Sequence, residues 1–181
     1  MKKKIIILSA VLVIVGAIAA VFCFRSADDY YIDNIDKITA DSKTVFLTIR
    51  CDSVFNNYDK LDDTLKSGGY IPSDGMILRR TEYVMRDGDS VFDLLYRAVR
   101  HEKIQFDYNG KNSNAFGTAY VKGIGYLYEF SCGSTSGWTY AVNGVFPNYG
   151  CSNYELHDKD EIEWIYTCDL GQDITASGGV K

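Results

Sequence analysis

From Ile5 to Phe24 the chain carries 20 residues without a single charge, IIILSAVLVIVGAIAAVFCF, preceded by Lys2-Lys3-Lys4. As a helix rising ~1.5 Å per residue this run matches the ~30 Å hydrocarbon core of a bilayer, a length that a small globular core has no means of covering. Lysines precede it and acids (Asp28, Asp29) follow Arg25, so the positive-inside bias predicts a cytoplasmic N-terminus and an external body. Ala17-Ile18-Ala19 offers a signal-cleavage alternative, which would give a secreted protein. The apolar run continues through Ala20–Phe24 beyond that site, which favours a retained anchor. Bulky Phe22 argues against lipidation at Cys23.

With Lys2, Lys3, Lys4 and Arg25 set aside, 15 basic residues face 24 acidic ones. A body that acidic has no electrostatic footprint for nucleic acid. Two histidines, His101 and His157, and the absence of GxSxG or HExxH patterns leave no catalytic constellation, so no enzymatic activity is expected. Outside the apolar run lie Cys51, Cys132, Cys151 and Cys168, an even count that predicts two disulfides in an exported domain. Of the three connectivities, the short loop favours Cys132–Cys151, which leaves Cys51–Cys168 to join the first strand to the last.

The rest reads as a polar stalk (26–43), a folded domain (44–173) and a flexible tail (174–181). TVFLTIRC alternates, with Val45, Leu47, Ile49 and Cys51 on one face, as a half-buried strand does. MILRRTEYVM is a second strand after a long polar connection. Ser90 and Asp93 form a capping-box pattern ahead of Val91, Leu94, Leu95, Ala98 and Val99, one apolar stripe of a helix. Strand-like segments follow: IQFDYN, GTAYVKGI, YLYEFSC, GWTYAVNG and EIEWIYTC. Asn143-Gly144 predicts a type I′ turn, and Gly123 and Gly125 read as turn glycines. In the last strand Ile162, Trp164, Tyr166 and Cys168 oppose Glu161, Glu163 and Thr167. This order predicts an α+β fold.

YLYEFSCGSTSGWTYAVNGVFPNYGCSNYELHDKDEIEWIYTCDLGQD (Tyr126 to Asp173), with GYIPSDGMIL and RDGDSVFDLL upstream, resembles a domain of unknown function common in surface proteins of Gram-positive bacteria. That family is related to the C-terminal domain of transcobalamin and intrinsic factor. The resemblance spans about Thr44 to Asp173 and implies a β-grasp-like mixed sheet packed on one amphipathic helix. It also implies a soluble-ligand-binding role, with a corrinoid as the candidate ligand. In transcobalamin the corresponding domain closes over one face of cobalamin while a helical domain holds the other, and this chain has no helical domain. Lys159 departs from the family pattern, standing where Gly usually occupies a turn before the last strand.

Candidate ligand-binding residues are Trp138, Tyr140, Asn143, Phe146, Asn148 and Tyr149. Aromatic rings on rigid strands suit stacking on a flat ligand, and Asn143 adds an amide. Trp138 and Tyr140 equally suit a core. Asp87, Asp89 and Asp93, or Asp158, Asp160 and Glu161, are a minor metal-site alternative. Asp89 and Asp93 are better explained as helix N-terminal charges. The expected partners are a small-molecule ligand, or a transporter or other surface protein. A structural or adhesive module is the alternative function.

Overall fold

The computed structural model describes residues 36–113 and 117–176. The apolar run, most of the stalk and the end of the tail lie outside them. Among the described residues no helix is long and apolar enough to cross a membrane. The described residues from Ile38 onward form one compact unit.

Among the described residues seven strands and three α-helices appear in order: β1 (Thr44–Arg50), α1 (Ser53–Asn56), α2 (Asp63–Gly68), β2 (Met76–Val84), α3 (Val91–His101), β3 (Phe106–Asn109), β4 (Tyr120–Ile124), β5 (Leu127–Tyr128), β6 (Gly137–Val142) and β7 (Glu161–Thr167). The α+β order is as expected. The strands, however, divide between a four-stranded sheet, β2-β1-β7-β6, and a three-stranded one, β3-β4-β5. The larger sheet is mixed, because β1 and β7 run parallel while β1–β2 and β6–β7 are antiparallel.

Helix α3 forms as its pattern dictates. Ser90 accepts a hydrogen bond from the Asp93 amide and Asp93 accepts one from the Ser90 amide, a reciprocal box satisfying two otherwise free donors. Val91, Leu94, Leu95, Ala98 and Val99 are all buried, and they pack in the main core with Val45, Leu47 and Ile49 of β1 and Ile162 and Trp164 of β7. Asp89, read as a metal candidate, instead pairs with Arg97 at 2.6 Å and accepts from the Arg86 amide.

Three local expectations change. β7 is central and buried on both faces, so Ile165 is wholly buried and Glu163, nearly so, is held by Arg50 Nε at 3.1 Å. YLYEFSC yields only the two-residue β5, since Tyr126 and Phe130 take positive φ (68° and 66°) and end it on both sides. Gly123 is a strand residue of β4 rather than a turn: a Cβ there would lie 2.8 Å from the Tyr128 ring. Gly125, at φ 61°, is the turn glycine.

Both expected disulfide pairings are corrected. All four described cysteines are buried, and none of them is bridged in this structure. Cys151 lies in the main core, its Sγ directed to the Ala119 carbonyl, whereas Cys132 belongs to a second cluster with Cys51, Cys168, Val54, Leu61, Leu127 and Tyr166. The register Arg50↔Ile165 places Cys51 beside Tyr166, two residues short of Cys168. At ~3.3 Å per residue along and ~4.8 Å across, their Cα atoms are about 8 Å apart, beyond disulfide reach.

Candidate functional site

Strand β6 is an edge of the larger sheet. The Asn143 amide donates to Glu161 O, and the Val142 amide turns back to Val145 O. By antiparallel alternation, Trp138 and Tyr140 therefore direct their main-chain N–H and C=O away from β7. Trp138↔Tyr166 and Tyr140↔Trp164 become the close, non-hydrogen-bonded pairs of the ladder. Their rings meet accordingly, Trp138 edge-on to Tyr166 at 5.3 Å and Tyr140 tilted on Trp164 at 5.6 Å.

Two cavities lie along this edge. The first, 530 Å³, is lined by Tyr120, Phe130, Ser134 to Thr139, Phe146, Thr167, Leu170 and Gly171. The second, 490 Å³, lies between the segment entering β4 (Thr118 to Val121) and β6, and reaches Pro147 to Cys151 and Trp164. Trp138, Thr139 and Tyr120 line both. These volumes fall within the ~300–1,000 Å³ of small-molecule sites.

At the first cavity, Phe130 is 63% exposed and Leu170 is 74% exposed, and both hold positive φ, 66° and 47°. Left-handed backbone costs an L-residue about 1–2 kcal/mol, and an exposed apolar side chain gains nothing by burial in return. The two loops are tied together: Thr135 Oγ1 donates to Cys168 O at 2.8 Å and the Leu170 amide to Thr135 O at 3.2 Å. Tyr120, with its hydroxyl on Glu129, is pushed up to about 12 by desolvation and by that carboxylate, so it stays a neutral phenol.

Of the candidate residues, Trp138 is half-buried, and its Nε1 donates to Leu127 O at 2.8 Å. Tyr140 is core: it is 6% exposed, and its hydroxyl donates to Tyr149 O. Burial pushes its ionisation upward. Tyr149 is half-exposed and stacks on Tyr154 at 5.6 Å, with their planes 9° apart. Asn148 is exposed at the second cavity and Phe146 at the first. Asn143 lines neither. It holds the predicted turn (φ 50°, with Gly144 at 78°), donating to Asp160 Oδ1 at 2.7 Å and accepting from the Glu161 amide at 2.9 Å.

Sequence reasoning missed Phe130, Leu170, Tyr120 and Thr139. The available signal was an apolar residue beside turn chemistry, Phe130 before Ser-Cys-Gly-Ser and Leu170 before Gly171. Trp164 Nε1 is, among the described residues, a buried side-chain donor without a partner, and its indole forms part of the second cavity's lining.

A larger cavity of 790 Å³ lies near Arg50, Arg80 and Asp74, but its charges satisfy one another: Arg50 pairs with Glu163 and Arg80 with Glu161. Among the described residues no group of three or more His, Cys, Asp or Glu is placed to hold a metal ion.

Residues 88–167 match the family described as "Domain of unknown function (DUF4430)". No curated protein matches the sequence. Among solved structures the chain is similar to haptocorrin in complex with Cbi, with TM-score 0.47 and 11% identity over 74% of this chain. It spans 27% of the haptocorrin chain. It is also similar to a protein from Ruminococcus gnavus ATCC 29149 to which metal binding has been ascribed, with TM-score 0.41 and 10% identity. That match covers 69% of this chain and 96% of the other.

Proposed function

We propose that this chain is a non-enzymatic binding module, anchored in the cell membrane by Ile5–Phe24 with its C-terminal domain outside, that captures a small flat ligand along the β6 edge. The observation that carries the reading is the first cavity: Phe130 and Leu170 both line a 530 Å³ hollow with exposed apolar side chains on left-handed backbone. Strained backbone of this kind clusters at ligand clamps because the surrounding structure has to hold it there. Trp138 and Phe146 supply aromatic surface, while Ser134, Thr135 and Thr139 supply hydroxyls for polar edges.

A corrinoid is the first ligand to try, on the strength of the motif resemblance to the transcobalamin C-terminal domain. The hollow takes up one side of such a macrocycle rather than enclosing it, so a second chain or a transporter would cover the other side. Equilibrium dialysis of the full chain against cobinamide and cobalamin tests this. Saturable retention of either supports it, and none at millimolar ligand removes corrinoids from consideration.

The open edge favours a second reading, contact with another surface protein by strand addition to β6. Strand addition would slow hydrogen exchange at the Trp138 and Tyr140 amides, which face outward in the free chain.

A further inference from the structure

The thiols of Cys132 and Cys168 sit side by side in the second cluster, each within hydrogen-bonding influence of the other. The surrounding contacts hold that arrangement. The Cys132 amide donates to Ser136 Oγ at 3.0 Å, and the Tyr166 hydroxyl donates to the same oxygen. Thr135 Oγ1 holds the Cys168 carbonyl from the same loop. Cys51 shares that cluster, but the β1–β7 register sets its Cα about 8 Å from that of Cys168, and Cys151 lies in the main core.

We propose that Cys132 and Cys168 are joined by a disulfide as the exported domain folds, and that this bond clamps the Phe130 loop to the Leu170 turn. Both thiols are buried once folded, with exposures of 0% and 1%, so the bond forms before the core closes. The oxidant is the disulfide of a thiol–disulfide oxidoreductase. The Cys132 thiolate attacks one of its sulfurs, making a mixed disulfide and releasing the other sulfur as a thiolate. The Cys168 thiolate then attacks Cys132 Sγ and expels the oxidoreductase's first sulfur. The chain loses two protons and two electrons, and the oxidoreductase disulfide becomes a dithiol. Cys51 and Cys151 remain thiols, Cys51 pushed up to about 12 by burial and by Asp52, and Cys151 to about 11 by burial.

The bond has a consequence for the cavity. Phe130 and Leu170 are two residues from Cys132 and Cys168 respectively, so a covalent link there restrains both left-handed positions at once.

The test is refolding of the denatured full chain in a glutathione redox buffer, then alkylation in denaturant without reductant and peptide mass spectrometry. The expected result is one cross-linked peptide pair, Cys132 to Cys168, with Cys51 and Cys151 alkylated. Alkylation at all four positions, or a cross-link between any other pair, overturns the proposal. A Cys132→Ser, Cys168→Ser variant separates clamping from folding. Its core amides stay protected from hydrogen exchange, while protection in the 130–136 and 168–171 loops falls at least tenfold. Unchanged loop protection would overturn the clamp.

Discussion

Phe130 and Leu170 line the same cavity from two different loops, and each does so with its backbone in the left-handed region, at 66° and 47°. Neither side chain is buried, so neither strained position is offset by burial. Replacing either with Gly removes the left-handed penalty of about 1–2 kcal/mol and adds roughly 0.5–1 kcal/mol of unfolded-state entropy. Phe130→Gly and Leu170→Gly should therefore leave stability unchanged or raised by up to about 1.5 kcal/mol in urea unfolding. A clear loss of stability would mean these side chains support the fold.

Lys159 carries the same strain for a different reason. It sits at φ 70° where its amide meets Thr44 O at 2.6 Å, and its Nζ reaches Thr44 Oγ1 and Glu82. Those side-chain contacts are half-exposed and worth about 0–1 kcal/mol. Lys159→Gly should be neutral to stabilising by about 1 kcal/mol, read by thermal unfolding. A loss above that would show that the lysine contacts outweigh its strain.

The α3 cap is a plain stability element. Ser90→Ala removes the hydrogen bond to the Asp93 amide and should cost about 1 kcal/mol. Denaturant midpoints of the two proteins measure it, and equal midpoints would contradict the role of the box.

Asp173 gives a pH dependence with a definite sign. Partial burial tends to raise its carboxyl, but acceptance from Thr167 and from the Cys168 amide at 2.8 Å outweighs that and leaves it below the ordinary value. A carboxylate lowered in the folded state contributes stability that is fully present above the unfolded value of ~3.9 and is lost as pH falls through the folded one. The stability gap between the native chain and Asp173→Asn should be constant above about pH 5 and close below pH ~3.9. A gap that persists unchanged at pH 2 would assign the effect to shape rather than charge.

Most of the larger sheet was legible because period-two alternation in β1 and period-3.6 spacing in α3 report burial directly. Less visible was anything depending on which strand lies at the centre. The pattern of β7 suggested one buried face, yet parallel pairing with β1 and antiparallel pairing with β6 bury both, and Glu163 survives there through Arg50. The polar connection after β1 hid α1 and α2, whose few turns are held by Val54 of α1 and Leu65 of α2 against the second cluster rather than by an apolar stripe. Loop length suggested Cys132–Cys151, whereas residues 130–137 fold back on the end of β7 and bring Cys132 to Cys168. At the site, aromatic strand residues were visible, but nothing in the sequence marks a Phe or Leu at positive φ.

Trp138 and Tyr140 are poor probes of binding, because their rings also pack on Tyr166 and Trp164 and truncation would cost about 3–5 kcal/mol. The exposed pair avoids that confusion. The most direct measurement is calorimetric titration of the full chain with cobinamide, beside a Phe130→Gly, Leu170→Gly double variant of equal stability. Micromolar binding by the native chain, weakened at least tenfold in the variant, is the predicted result. Equal binding by both proteins would place the ligand elsewhere, and no heat at millimolar cobinamide would contradict corrinoid capture at this cavity.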